Sequence, residues 1–176
     1  DGPRLQPLPG PPERRVDGVR PAVAGRDAIG LVDQVAALRV ELGADGVELL
    51  AGDITDPSLG LNAATYDELA DRLRAVVHLA AVYDLAVGAA LAERVNVDGT
   101  AHILALCAAA PNLERHHYIS TAYVAGLRSG RVMEGDLAAG QQFKNFYEST
   151  KFAAEVLVRA TMNEVPTTIY RPAIVV

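Results

Sequence analysis

Apolar and polar residues run along this chain in blocks, and the period of the blocks changes from one to the next. Val47-Glu48-Leu49-Leu50-Ala51 reads as a strand, as does the near-continuous apolar run Ala75-Val76-Val77-His78-Leu79-Ala80-Ala81, which predicts a strand buried on both faces of a parallel sheet. His116 to Ser120 and Thr167 to Val176 read the same way, with a shorter candidate at Val19 to Gly25. Between them the period lengthens. Ile29, Val32, Val35, Ala36, Leu38, Val40 and Leu42 predict a helix closed by Gly43. Further helices are predicted at about Tyr66 to Arg74, capped by Asn62 or Thr65, and at about Ala89 to Ala109, stopped by Pro111. The last runs from about Phe143 to Met162, with Ala154, Leu157 and Val158 facing inward. Strands alternating with helices specify the α/β class: a mainly parallel sheet whose right-handed crossovers stack helices on both faces.

Composition trims this picture at one end. Residues 1 to 21 hold six of the ten prolines, with Gly and Arg, and cannot bury enough apolar surface to offset the cost of ordering. Residues 1–18 are therefore expected to be disordered and 19–176 to form the folded domain. The first residue is Asp1, and the apolar run Ala173-Ile174-Val175-Val176 stops without a following element, so the domain is expected to be incomplete at both ends and part of a longer, multidomain chain. A net charge of −6 with no basic cluster beyond residue 26 argues against a nucleic-acid surface. Lone Cys107 among Ala and Leu reads as a core residue, and four scattered histidines give no metal-ligand spacing. The most apolar stretch, Ala75 to Ala92, is broken by His78, Tyr83, Asp84 and Gly88, so no membrane span is expected, and a cytoplasmic location is the default.

The chemistry centres on Tyr147-Glu148-Ser149-Thr150-Lys151, which sets a phenol and an ammonium four residues apart on one helix face. A cation held beside a phenol favours the phenolate, so such a pair can donate a proton near neutral pH, as carbonyl reduction requires. The plain alternative is a packing pair on a helix surface. In parallel sheets, ligands bind beyond the carboxyl ends of the strands. The residues there are Gly52-Asp53, Ala80-Ala81, Ser120-Thr121 and Arg171-Pro172: small side chains, hydroxyls and one carboxylate.

Six stretches, in order over about residues 47 to 176, resemble the extended short-chain dehydrogenase/reductases, in their thioester-reductase and fatty acyl-CoA reductase (male-sterility) branch. They are Gly52 to Leu61, Val77 to Ala81, Asn96-Val97-Asp98-Gly99-Thr100, Tyr118 to Gly126, the Tyr147 to Lys151 pentad and Tyr170-Arg171-Pro172-Ala173. The resemblance implies a Rossmann-like fold and roles residue by residue. Tyr147 is the proton donor, Lys151 its cationic partner and ribose ligand, and Thr121 the hydroxyl five residues before Gly126, with Ser120 as fallback. Arg26, Asp53, Ile54, Ala80, Ala81, Lys151 and Pro172 are implied as cofactor-binding residues. Arg26 would meet a 2′-phosphate, so NADPH is favoured over NADH. Ordinary readings stand beside these: a turn aspartate at Asp53, strand packing at Ala80 and Ala81, strand-end hydroxyls at Ser120 and Thr121, a salt-bridged Arg171, and helix support from Asn96 and Gly99.

One departure stands out. The family's glycine-rich G-x-x-G-x-x-G loop, whose backbone amides cradle a pyrophosphate at a helix start, has no counterpart here, because Gly25 and Gly30 are wrongly spaced and come too late. The implied activity is NAD(P)H-dependent reduction of an acyl thioester, bound to coenzyme A or a carrier protein, to an aldehyde or alcohol. The alternatives are a sugar-nucleotide epimerase or dehydratase on the same scaffold, or an inactive fragment without the phosphate loop.

Overall fold

The computed structural model describes residues 50–174. The predicted elements at Val19 to Gly25 and Ile29 to Leu42, nearly all of the one at Val47 to Ala51, and Arg26 lie outside the described residues, as do residues 1–18. Residues from Gly52 onward form one compact unit.

That unit begins with a closed loop and helix α1 (Ala63–Arg72). The Asn62 side chain accepts from the Thr65 amide at 3.0 Å, so the cap is Asn62 and Thr65 lies within the first turn. Strand β1 (Ala75–His78) follows, then a continuous helical stretch in three parts: α2 (Ala89–Ala92), a π turn (Glu93–Asp98) and α3 (Gly99–Ala109). Strand β2 (Arg115–Ile119) leads into a 3₁₀ turn (Ala122–Ala125), a long loop, α4 (Phe146–Thr161) and β3 (Thr167–Tyr170). The three strands are parallel in the order β1-β2-β3, with Val76 opposite His116 and Tyr118 opposite Ile169.

Of the expected strands that fall within the described residues, β2 keeps its length one residue earlier and β1 and β3 are shorter than their apolar runs. β1 ends at His78 and β3 at Tyr170, because the chain there leaves the ladder for the site edge. α4 starts at Phe146 rather than Phe143, since Asn145 caps it. One expectation is corrected: β1 is not buried on both faces. His78 is buried, whereas Val77 and Leu79 are 57% and 68% exposed. The helices pack on the face that His78, His116 and Tyr118 share, where Leu104, Tyr118, Ala154 and Val158 form the core with Ile169 against them. Among the described residues, β1 is the edge strand and no helix covers its Val77 side.

Candidate active site

Two carboxyl-side turns carry the expected site residues, and they are built differently. At the exits of β2 and β3 the anchor is α4. Its start is doubly capped: Asn145 Oδ1 accepts from the Glu148 amide at 2.9 Å, and Glu148 Oε2 accepts from the Lys144 amide at 3.0 Å, close to a capping box. Tyr147 sits half-buried in this fixed first turn. A cleft of about 550 Å³, lined by Gln142, Phe143, Lys144, Asn145, Phe146 and Ser149, opens around the same helix start.

One turn on, Lys151 is only 3% exposed. Its ammonium donates to the Tyr118 hydroxyl at 3.0 Å and to the Ile119 carbonyl at 2.8 Å, at the last residue of β2. Burial pushes the Lys151 pKa down to about 8, with the Glu155 carboxylate opposing it. The Tyr118 phenol is held above its ordinary value, chiefly by burial, with the nearby Glu155 and Tyr147 adding to the rise. Beside them stand His78 and His116. Their rings pack together with that of Tyr118, with centroids 5.4 to 6.1 Å apart. Burial drives both histidines down to about 4, and the Lys151 charge adds to the effect at His78.

Thr121 is buried just past β2, and its hydroxyl accepts from the Tyr123 amide at 3.2 Å, capping the 3₁₀ turn. Ser120 is turned to other work: its hydroxyl donates to Glu155 Oε2 at 2.6 Å. Arg171 bonds the same carboxylate, with Nη2 2.6 Å from Oε1, which bears out its reading as a salt-bridged residue. The Ala122 amide donates to the Pro172 carbonyl at 3.0 Å, so the two strand exits lie side by side. The structure therefore brings Lys151, Ser120, Thr121 and Pro172 to one edge, with Tyr147 one helical turn from Lys151.

The remaining candidates form a second, more open flank. Ala80 is exposed and Ala81 half-buried after β1, where Asn96 ties down the following residue by accepting from the Val82 amide at 2.8 Å and donating to its carbonyl at 3.1 Å. Asn96 projects from the π turn and also donates to Thr150 at 3.0 Å, a supporting role like the one expected for it. Asp53 accepts from both the amide and the hydroxyl of Thr55 at 2.8 Å, and these bonds hold its carboxyl below the usual range. Its loop closes through the Asp53 amide onto the Leu59 carbonyl at 2.8 Å, with Leu59 and Gly60 both at positive φ. The Pro57 to Leu61 run thus shapes the Asp53 turn. Ile54 packs inward: its side chain lies under Gly99 and its carbonyl meets His102 at 2.9 Å.

Sequence reading missed Glu155, Arg159 and the His78–His116–Tyr118 cluster. A signal for the first two was present, since Tyr147, Lys151, Glu155 and Arg159 continue one four-residue row along α4. Among the described residues, no His, Cys, Asp or Glu cluster could hold a metal, and no helix is long and apolar enough to cross a membrane.

Comparison with known proteins decides the lineage. A model of the male sterility protein family, an NAD-binding domain family, matches residues 29–176. The chain belongs to this family. Among the relatives of this male sterility domain is a carboxylic acid reductase of Segniliparus rugosus, 34% identical over 128 residues, which cover 68% of the chain and 11% of that protein. The solved terminal R domain of the myxalamid PKS-NRPS pathway is 30% identical with a TM-score of 0.64, over 70% of this chain and 32% of that one. UDP-glucuronic acid 4-epimerase from Bacillus cereus, in complex with NAD, is 24% identical with a TM-score of 0.63, over 81% of this chain and 44% of that one, and shows the fold alone. The chain spans only a small part of its curated relatives, some of which are large multidomain synthetases. The fold is Rossmann-like α/β, and the domain is of the NAD(P)-binding reductase type.

Proposed function

We propose that this domain reduces an acyl thioester, carried on coenzyme A or a carrier protein, to an aldehyde or alcohol, with NADPH as the preferred partner. The observation that carries the reading is the edge just described: a buried ammonium one helical turn beyond Tyr147, at the exit of β2, next to Thr121. Membership of the family and the carboxylic acid reductase relative support an acyl substrate over a sugar nucleotide, for which only a likeness of fold speaks.

The residues present fit a dinucleotide across the strand exits: Ala80 after β1 and Pro172 after β3 expose small surfaces, and the Asp53 carboxylate is pre-set by its Thr55 bonds. Asp53 would meet the adenine amine, Ala80 and Ala81 would underlie the ribose and phosphate, and Pro172 would flank the nicotinamide, which supplies the hydride. Thr121 donates to the thioester oxygen as negative charge develops on it. Tyr147 delivers its proton to that oxygen, and the Lys151 ammonium stabilises the phenolate left behind. Hydride on the carbonyl carbon and proton on its oxygen give a hemithioacetal; its C–S bond then breaks, the hydroxyl proton passes to the sulfur, and aldehyde and free thiol result.

The test uses the full-length protein with acyl-CoA and carrier-bound substrates. Tyr147→Phe should lower kcat by about 100-fold or more while NADPH binding stays within about twofold, because only the proton donor is lost. Wild-type turnover in that variant would remove Tyr147 from the role. Turnover of sugar nucleotides with no thioester reduction would replace the substrate class.

A further inference from the structure

We propose that Glu155 is the positioning residue of this site: its buried carboxylate holds Ser120 and Arg171, and through them fixes Thr121 and Pro172 against the helix that carries Tyr147 and Lys151. The inference deepens the reading above and rests on it.

Glu155 is 0% exposed, and each of its oxygens is engaged. Oε2 accepts from Ser120 Oγ at 2.6 Å and Arg171 Nε at 3.0 Å, while Oε1 accepts from Arg171 Nη2 at 2.6 Å and Arg159 Nε at 3.0 Å. Burial alone would raise the carboxyl pKa, but the bonds from Arg171 and Ser120 and the two guanidinium charges outweigh it and keep the group ionised. A buried ion cluster of this kind seldom adds stability over well-packed apolar residues, so its stability contribution is a poor account of why it is there.

Its geometry gives a better account. Each arm ends one residue short of a candidate site residue: Ser120 precedes Thr121, and Arg171 precedes Pro172. The backbone repeats the pairing, with the Ser120 amide donating to the Tyr170 carbonyl at 2.8 Å and the Ala122 amide to the Pro172 carbonyl at 3.0 Å. Arg159 extends the hub to the overlying loop, donating to the Glu134 and Gly135 carbonyls at 2.9 Å each. Glu155 also lies one turn beyond Lys151, so the helix that sets the ammonium at Ile119 sets the next residue of the same strand exit as well. A fixed Thr121 is what an oxyanion donor needs, because misplacement by about 1 Å costs on the order of 100-fold in rate.

The experiment compares Glu155→Gln, Ser120→Ala and Ser120→Thr in the full-length protein. Readouts are kcat and KM for the thioester, together with amide hydrogen exchange at Ser120 and Ala122. Glu155→Gln should cut kcat by about 100-fold with KM little changed, and speed exchange at both amides by about tenfold or more. If that variant does not fold, Ser120→Ala leaves the arginine pairs intact, and should lower kcat by about tenfold with faster exchange, while Ser120→Thr keeps the hydroxyl and restores both. Wild-type kcat in a folded Glu155→Gln overturns the proposal. So does a loss of activity in Ser120→Ala with unchanged exchange, which would make Ser120 itself the reacting hydroxyl. If the wild-type protein reduces no thioester, the functional reading falls alone; exchange at Ser120 and Ala122 then decides the role of Glu155, and unchanged exchange overturns it.

Discussion

The two flanks of the site are built on opposite principles. At the exits of β2 and β3, Lys151, Ser120, Thr121 and Glu155 are all buried; Lys151, Ser120 and Glu155 bond neighbouring segments and Thr121 caps its own turn, so every group is set before any ligand arrives. Along the exit of β1 and the Asp53 turn, Ala80 and Asp53 lie at the surface, and the Asp53 carboxylate bonds within its own turn. Proton transfer demands fixed distances, and groups held by buried bonds keep them. A large flat cofactor instead needs accessible backbone and small side chains, and supplies its own packing when it binds. The difference separates what this chain must organise for itself from what it leaves for a ligand to cover.

The largest effect that tests this contrast is acid sensitivity of the fixed flank. His78 and His116 titrate near 4 in the folded protein and near 6.5 when unfolded. The unfolded chain therefore takes up protons that the folded one refuses as pH falls from 6.5 towards 4, and stability drops through that window by up to about 3 kcal/mol per histidine. Lys151, depressed to about 8, adds a rise in stability between about pH 8 and its ordinary value of 10.5. Unfolding free energies at pH 4.5 and 7 should show a steep loss for the wild type and a shallower one for His78→Phe. An equal slope in that variant would mean that the ring cluster admits water, and the flank would not be closed.

Next in size is Gly126→Ala. Gly126 ends the 3₁₀ turn after Thr121 at φ 60°, and a Cβ there would lie 2.3 Å from the Gln142 carbonyl oxygen. Backbone meets backbone at that point, because the Leu127 amide donates to the same carbonyl at 2.8 Å, so neither side can yield. A loss of about 3 kcal/mol or more is expected by chemical denaturation. A loss under about 1 kcal/mol would show that the segment after Thr121 is slack.

The contrast also explains what could be read from the sequence. The molecule announces itself where its rules are local. Asn62 caps α1, Pro111 follows the end of α3, and Tyr147 and Lys151 share a helix row, all legible from spacing. Its long-range bonds are not legible: nothing near Ser120 in sequence shows that its hydroxyl belongs to Glu155, 35 residues on. The π turn is equally silent, since it depends on Asn96 reaching Val82 and Thr150. The exposed Val77 misleads for a related reason: an apolar run gives a strand's character but not which of its faces a helix covers. In the Asp53 turn, the Pro57 to Leu61 run carries consecutive positive φ angles at Leu59 and Gly60, which its spacing does not announce at Leu59.

The smallest effect on the fold, and the sharpest test of the open flank, is expected from Asp53→Asn. The Asp53 oxygen that receives the Thr55 amide and hydroxyl has an equivalent in the asparagine carbonyl, so the turn keeps its bonds and loses only charge. Asp53 is exposed, and among the described residues its charge acts on the exposed Arg94. The melting temperature should stay within about 1 °C of wild type, because surface changes away from caps and cores are nearly neutral. Dinucleotide affinity should weaken by about threefold to tenfold, since a carboxylate accepts from the adenine amine more strongly than an amide does. Calorimetric titration of NADPH into both proteins, alongside thermal melts, separates the two quantities. A melting temperature lowered by several degrees would show that Asp53 belongs to the pre-set part of the site, and the division between the flanks would have to be redrawn through the Asp53 turn.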